Sequence, residues 1–491
     1  MDDATLRTAS PPAAGGFWYT GAMGSLRRQL GEYGILIAAI ALYLALIGGL
    51  AAMRHHTFQT QAFDLGVFSQ AFWNTLHGRP FVNSLEGGSH FATHFTPFLF
   101  LLVPFYAVAP SPYTLLWLQT LALALGAVPL YAMARTFLAK RLAAAIALAY
   151  LLYPWLHSVN LFDFHEESFA IPLILTAFYY LSRDRLWPAA ACLALAALTK
   201  ENSALAVAGV GLFLLFASPH KKFGAGVTLA AASYFAAVSQ VFLAGRGGDL
   251  FRARYGALGS TPADALKTLL TRPALIADTF LAKAKAGYLL RTFAPVAFLP
   301  LFAPAIVILL LPGLLQNLLS QSPNQISNLY QYDALVIPFL FIGLVYASRK
   351  IIERNWAIGR FLPLMIMILA ISSFALLSLA GPARFSSERY AKSERVRVFR
   401  EFVGRVPPRA SVAADTNLVP HLAARQQLYL IGSEPEPADI VIFDRGEPFP
   451  FASAEELERY ARGLMATNGY DLTTINDRYS FLVRKELAGR E

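Results

Sequence analysis

Residues 33–53 read YGILIAAIALYLALIGGLAAM, an unbroken run without one charged side chain. A helix rises about 1.5 Å per residue, so a run of this length crosses the ~30 Å hydrocarbon core of a bilayer. Arg27 and Arg28 precede it, and no clear small-residue cleavage site accompanies it. It therefore reads as a retained first membrane helix and not as a secretory leader.

Similar runs continue outward from it, at 112–134, 141–155, 168–182, 187–199, 203–218, 224–244, 289–302, 304–319, 334–349 and 358–379. Together with 33–53 they predict an α-helical polytopic membrane protein of about 11 spans. Pro304 divides 289–302 from 304–319 and marks either a tight turn or a kink within one helix. Composition agrees. Charged residues make up 15% of the chain, against about 25% in soluble domains, and the deficit is concentrated in 33–380. The net charge of +10 does not indicate nucleic-acid binding, because the basic residues fall mainly in short loops between apolar runs. Cys192 is the only cysteine, so no intramolecular disulfide forms.

Those loops also set sidedness. Arg27 and Arg28, Arg135 with Lys140 and Arg141, Arg183 with Arg185, Lys221 with Lys222, and Arg349 with Lys350, Arg354 and Arg360 all share one side if the N-terminus is cytoplasmic. The expected layout is a cytoplasmic tail 1–32, a transmembrane domain 33–380 with periplasmic loops 54–111 and 245–288, and a periplasmic domain 381–491. In the tail, Ser411–Ala414, Leu428–Ile431, Ile440–Phe443 and Tyr479–Val483 look like strands, and 453–465 like a helix. That predicts a small α/β domain. The stretch 64–77 reads as a helix lying on the membrane interface, and the apolar run 95–109 as one dipping into it.

Charge is expensive at a membrane, so ionisable groups there are functional candidates. Asp64, in Phe63-Asp64-Leu65-Gly66, suits either a helix cap or a general base towards a sugar hydroxyl. His90 and His94 form His-x-x-x-His without the glutamate of a protease zinc site, and hydrogen bonding to a phosphate or to the loop backbone suits them better than a metal pair. Asp163, His165, Glu166 and Glu167 crowd into five residues. They read as a solvated helix start or as ligands suited to Mg²⁺ or Mn²⁺. Lys200 and Glu201 pair with each other, or Lys200 holds a phosphate. Arg291 holds one likewise or snorkels. Gln316, Asn317, Tyr330, Tyr332 and Asp333 flank the last loop and are candidates to line a polar cavity. No Walker loop, dinucleotide fingerprint or nucleophile elbow occurs.

Several of these motifs resemble a known family. Phe63-Asp64-Leu65-Gly66, Gln70-Ala71-Phe72-Trp73-Asn74-Thr75, His77-Gly78-Arg79-Pro80, His94-Phe95-Thr96-Pro97, the Asp163–His165 pair, Thr199-Lys200-Glu201 and Asn417-Leu418-Val419-Pro420-His421-Leu422 look like the multi-pass membrane proteins of the domain of unknown function two-zero-seven-nine. The architecture is similar in turn to the GT-C superfamily of membrane glycosyltransferases. That resemblance implies a polyprenyl-phosphate-linked sugar donor in a bacterial inner membrane. The acceptor would be a glycan, lipid or protein on the periplasmic face. It also implies Asp64 as catalytic base. His90, His94, Asp163, His165, Glu166, Lys200, Glu201, Arg291, Tyr330 and Tyr332 would be substrate-binding, with a metal on Asp163, His165 and Glu166. One departure is that the usual paired acidic motif after the first span is reduced to a single Asp, with His56 and Gln59 nearby. The competing readings are a transporter or lipid flippase, which the one-sided placement of the charges and the lack of a repeat disfavour, and a non-catalytic assembly protein.

Overall fold

The structure, a computed structural model, describes residues 33–244, 247–272, 274, 282–379, 390–391, 393–466 and 469–485. The expected tail 1–32 lies outside the described residues. The chain begins with α1 (Tyr33–His56). A long connection then carries α2 (Val67–Leu76), a small hairpin of β1 (Val82–Asn83) and β2 (Gly88–Ser89), and α3 (Val103–Val108). There follow α4 (Pro112–Phe137), α5 (Lys140–Leu151), α6 (Pro154–Leu161), α7 (Ala170–Leu181), α8 (Leu186–Ala197), α9 (Ser203–Ala217) and α10 (Lys221–Ala244). After α11 (Gly247–Tyr255) and α12 (Pro262–Thr271) come α13 (Lys283–Phe293), α14 (Pro304–Leu318), α15 (Ile337–Glu353) and α16 (Ala357–Ser378).

Among the described residues, α1, α4 and α16 are long and apolar enough to cross a membrane, and the bent pair α5–α6 makes a fourth if it is one span. Helices α8, α9 and α14 are apolar but shorter. Helix length alone therefore does not yield eleven spans. The expected span 289–302 is not one helix. Helix α13 stops at Phe293, and Ala297 and Phe298 adopt left-handed φ of 54° and 56° between short 3-10 turns. Pro304 then opens α14, where a missing amide hydrogen costs nothing. Small residues let the helices approach closely. A Cβ on Gly48 would sit 2.5 Å from the Trp117 ring of α4, and one on Gly224 of α10 would meet the Leu215 amide nitrogen of α9 at 2.5 Å.

Residues 64–77 do not lie with one face towards lipid. A π-helical turn, Ala62–Gly66, leads into α2, whose Val67, Phe68, Ser69, Gln70, Ala71, Phe72 and Asn74 are all buried in protein. One flank packs on Phe81, Phe98, Phe164 and Phe169. The other meets the C-terminal unit. That unit comprises α17 (Glu394–Arg405), β3 (Val412–Ala414), β4 (Leu428–Leu430), β5 (Ile440–Asp444), α18 (Ala454–Ala466), β6 (Tyr470–Ile475) and β7 (Tyr479–Arg484). Its sheet runs β4-β3-β5-β7-β6, with β3 parallel to β4 and β5, and the rest antiparallel. Strand periodicity divides the core. Val412, Ala414, Ile440 and Ile442 face Phe399 and Phe402 of α17, while Ala413, Val441 and Phe443 face Leu457 and Ala461 of α18.

The first of these two cores also contains Phe58, Ala62, Val67 and Leu85 from the 54–111 connection, so the C-terminal unit and the first loop share one hydrophobic core. Polar contacts reinforce the joint. The Gln70 side-chain amide donates to the carbonyl of Arg425 at 3.0 Å, and the amide of Leu428 donates to the Ser84 hydroxyl at 2.9 Å, occupying the open edge of β4.

Candidate functional site

A cavity of 540 Å³ opens between the first loop, the 162–169 turn, the start of the 200–203 turn and α11. Its walls include Asp64, Phe68, Glu86, His90, His94, His165, Glu166, Lys200, Arg254, Gln331 and Tyr332. Seven residues raised from sequence thus share one wall although they lie up to 268 positions apart: Asp64, His90, His94, His165, Glu166, Lys200 and Tyr332.

Asp64 does not cap a helix. It sits in the π-helical turn, where its Oδ1 is 3.0 Å from His165 Nε2, and Oδ2 takes no hydrogen bond among the described residues. His165 is held on three sides. Its amide donates to Gln119 Oε1 of α4 at 2.7 Å, and its Nδ1 is 3.0 Å from the carbonyl of Phe162. Both ring nitrogens thus face oxygens, which only the imidazolium satisfies with two donors. Burial opposes that charge, but the hydrogen bond and charge of Asp64 outweigh it and raise the His165 pKa.

Two further histidine–carboxylate pairs flank this one. His90 Nδ1 is 2.9 Å from Glu86 Oε2, which also accepts from the Asn83 side chain at 2.7 Å. His90 Nε2, in the cavity wall, is buried without a hydrogen-bond partner. His94 Nδ1 is 2.9 Å from Glu201 Oε1, whose other oxygen accepts from the Phe95 amide at 3.1 Å. The two rings stand 6.0 Å apart, each committed to its own acid.

Lys200 pairs with Glu166 and Glu167, not with Glu201. Its Nζ is 3.1 Å from Glu166 Oε1 and 3.3 Å from Glu167 Oε1. Glu166 and Glu167 are buried and do not start a solvated helix. Burial alone would favour the protonated acid, but Lys200 first, then His94, His90 and His165, hold the Glu166 pKa at about 2. The same carboxylates raise the Lys200 pKa against its own burial. Lys200 therefore already carries compensating charge. Arg254 of α11 differs. Its guanidinium lies over the Tyr332 ring at 5.5 Å and has no carboxylate partner among the described residues.

The profile of a family described as predicted membrane protein (DUF2079) matches residues 54–477. The chain belongs to this family. No curated protein matches it. In fold it is similar to ArnT from Cupriavidus metallidurans bound to undecaprenyl phosphate, at TM-score 0.56 and 14% identity over 92% of this chain and 98% of that one. The apo state of the same protein matches at TM-score 0.53 and 14% identity over the same shares, 92% and 98%. An oligosaccharyltransferase from Archaeoglobus fulgidus tethered to an acceptor peptide matches at TM-score 0.46 and 13% identity over 92% of this chain and 74% of that one. The chain thus shares its helical fold with ArnT, carries a small C-terminal sheet unit, and belongs to a family described as predicted membrane proteins.

Other residues raised from the sequence of this DUF2079 protein go elsewhere. Asp163 has a left-handed φ of 50°. Its carboxylate accepts from the Gln61 amide at 2.7 Å and lies 3.5 Å from Arg54, away from the cavity. Asp163, His165 and Glu166 hence do not converge as a divalent-cation site. One faces Arg54, one is bonded through both nitrogens, and one faces Lys200. Among the described residues, no group of three or more His, Cys, Asp or Glu has metal-holding geometry. Arg291 does not reach the cavity. It donates to Asn328 Oδ1 at 3.0 Å and the Ile326 carbonyl at 2.8 Å, bracing a buried network of Asn328, Asp333, Tyr288 and Asn317. Tyr330 packs edge-on against Phe162 at 4.5 Å, and Tyr332 alone of the two lines the cavity. Sequence reading passed over Glu86, Gln119, Arg254 and Gln331 as site residues. Glu86 had a signal, since Glu86, His90 and His94 are spaced four apart.

Proposed function

We propose that this protein is a GT-C-like glycosyltransferase of the bacterial inner membrane that moves a sugar from a polyprenyl-phosphate donor to an acceptor on the periplasmic face. The observation that supports it best is Asp64, which lines a cavity of 540 Å³ with one carboxylate oxygen fixed by His165 and the other without a hydrogen bond among the described residues, in a wall that also carries Arg254, a cation with no carboxylate partner among those residues. A cavity this size accommodates a glycosyl group and a phosphate.

In this reading the acceptor hydroxyl gives its proton to Asp64 Oδ2 as its oxygen bonds to the anomeric carbon. The bond from that carbon to the phosphate oxygen breaks, and the electron pair leaves with the polyprenyl phosphate. Arg254 then meets the charge that develops on the leaving phosphate. Burial opposes charge on His90, but its hydrogen bond and ion pair to Glu86 raise its pKa, and it offers Nε2 as a further donor when it is the imidazolium. His165 keeps the Asp64 carboxylate oriented. Lys200 pairs with Glu166 in the wall and with Glu167 and, being compensated, contributes less to the phosphate than Arg254 does. The divalent-cation chemistry first expected of Asp163, His165 and Glu166 enters no step.

The test is transfer of radiolabelled sugar from a polyprenyl-phosphate donor in proteoliposomes. Asp64→Asn should lower the transfer rate at least ~100-fold, the usual scale for a lost general base. Full activity in that variant sinks the role given to Asp64. If triple substitution of Asp64, Asp163 and His165 leaves the cellular phenotype intact while loss of 384–491 abolishes it, the protein is a non-catalytic assembly factor.

A further inference from the structure

The sequence motif Asn417–Leu422 takes no part in the cavity, yet it and the residues before it make a dense set of contacts to the segment that leads into Asp64. Residues 57–61 leave the last turn of α1; the amides of Thr57, Phe58 and Gln59 still donate back into it, but the Phe58 and Thr60 carbonyls and the Gln61 and Ala62 amides are partnered by other segments. The C-terminal unit supplies three of these partners. The Ala62 amide donates to Thr416 Oγ1 at 3.2 Å, and the Asn417 side-chain amide donates to the Thr60 carbonyl at 3.0 Å. Arg395 of α17 spans the two, donating to the Phe58 carbonyl at 3.1 Å and to Asn417 Oδ1 at 2.9 Å.

Side chains extend the grip to both ends of the segment. The His421 ring stacks on Phe58 with centroids 3.9 Å apart, and Phe58 itself has a left-handed φ of 56°. At the far end Val419 lies so close to Gly66 that a Cβ there would meet Val419 Cγ1 at 2.8 Å. Asp163 closes the opposite side by accepting from the Gln61 amide at 2.7 Å. Asp64 thus sits between two anchored points, Ala62 and Gly66.

The place of this grip in the sheet is informative. The parallel strands run in the order β4-β3-β5, second-first-third along the chain. Open parallel sheets bind ligands outside the carboxyl ends of their strands, where the strand order reverses. Thr416 and Asn417 lie there, just past the end of β3, and the occupant is the chain's own 58–62 segment.

We infer that Thr416 and Asn417, with Arg395, are positioning residues, and that the C-terminal sheet uses its ligand-binding edge to hold residues 58–62 so that the Asp64 carboxylate meets His165 at the cavity wall. The catalytic consequence rests on the transferase reading above, whereas the clamp itself does not.

The experiment is hydrogen–deuterium exchange on the full chain in lipid nanodiscs, following peptides that cover 58–66 and β5, in wild type, Thr416→Val, Thr416→Ser and Asn417→Ala. Thr416→Val is isosteric and removes one acceptor. Exchange in 58–66 should accelerate about 5-fold, as the loss of one hydrogen bond of ~1 kcal/mol gives. The serine variant should restore wild-type exchange, with β5 protected throughout. In the sugar-transfer assay, kcat should fall in Thr416→Val with KM for donor unchanged, and recover in Thr416→Ser. Unchanged exchange of 58–66 in Thr416→Val with β5 protected overturns the inference. If Asn417→Ala unfolds the C-terminal unit, the valine variant still decides. A loosened 58–66 together with a fully active Asp64→Asn supports the clamp and refutes only the role of Asp64 as base.

Discussion

Lys200→Met removes the ammonium that, among the described residues, makes the direct ion pair with both buried carboxylates, Glu166 and Glu167. Glu166 is fully buried, and neither of its oxygens makes a hydrogen bond of good angle, so the 3.1 Å approach of Lys200 Nζ is its main compensation. Burial raises the Glu166 pKa. Lys200 and then three histidines overturn that and bring it from 4.5 to about 2. A displacement of that size corresponds to ~3 kcal/mol of stability at neutral pH. It agrees with the ~3–5 kcal/mol usually lost when one member of a buried pair is removed. Because the folded-state pKa is depressed, this contribution is present above pH 4.5 and is lost as pH falls towards 2. In Lys200→Met burial prevails, the Glu166 carboxyl favours its protonated form, and the variant recovers stability relative to wild type as pH falls. The assay is reversible denaturant unfolding in mixed micelles of wild type, Lys200→Met, Glu166→Gln and the double variant. The lysine variant should lose ~3 kcal/mol at pH 7.5, the double variant should regain at least half of it, and the gap to wild type should narrow towards pH 4. A loss under ~1 kcal/mol at pH 7.5, or a Glu166→Gln change that adds to the loss, refutes the pairing argument.

Two more predictions concern the groups on either side of this pair. Arg254→Ala should weaken binding of polyprenyl phosphate about 10- to 100-fold, the range of one to two charge-assisted hydrogen bonds. Arg254→Lys should restore part of it, as measured by titration into nanodiscs, and an unchanged affinity would remove Arg254 from the phosphate site. For Asp163, burial is the largest influence and Asp64 adds to it. Together they raise its pKa to about 6 against Arg54, the Gln61 amide and His165. The cost of its charge therefore appears as pH rises from 3.8 to 6 and persists above. Asp163→Asn, which can still accept from Gln61, should be more stable than wild type by up to ~3 kcal/mol at pH 7.5, the difference closing below pH 4 in the same unfolding assay. A variant less stable than wild type at pH 7.5 would show that the Arg54 ion pair outweighs burial.

Much of the architecture follows from local properties of the chain. Apolar runs define helices because every backbone group must be paired within the segment when lipid surrounds it, and that requirement is met residue by residue. The strands β3, β4, β5 and β7 are visible for a similar reason, as short apolar stretches between turn residues. Strand β6 escaped notice. Its Asp471, Leu472 and Thr473 are exposed at the sheet edge, so YDLTTI carries little hydrophobic pattern. The helix 67–76 was recognisable, but its surroundings were not. Phe68, Phe72 and Val67 suit a lipid face as well as they suit the aromatic core and C-terminal sheet that in fact cover them.

For the site, the sequence alone marked Asp64, His90, His94, His165, Glu166 and Lys200, because charged and imidazole side chains are costly beside apolar helices and stand out wherever they occur. It did not determine who compensates whom. Lys200 is adjacent to Glu201 in the chain, yet it pairs with Glu166 and Glu167, 34 and 33 positions away, while Glu201 turns to His94. Arg252 and Arg254 are indistinguishable as letters. The fold pairs the first with Asp249 at the surface and directs the second over Tyr332 in the cavity wall. Arg291 looked equally suited to a phosphate and is spent on Asn328 and Ile326. Side-chain type reports how costly a charge is to bury, which is a local quantity. Which opposite charge relieves that cost is a matter of distance between segments far apart in sequence, and only the tertiary structure sets those distances.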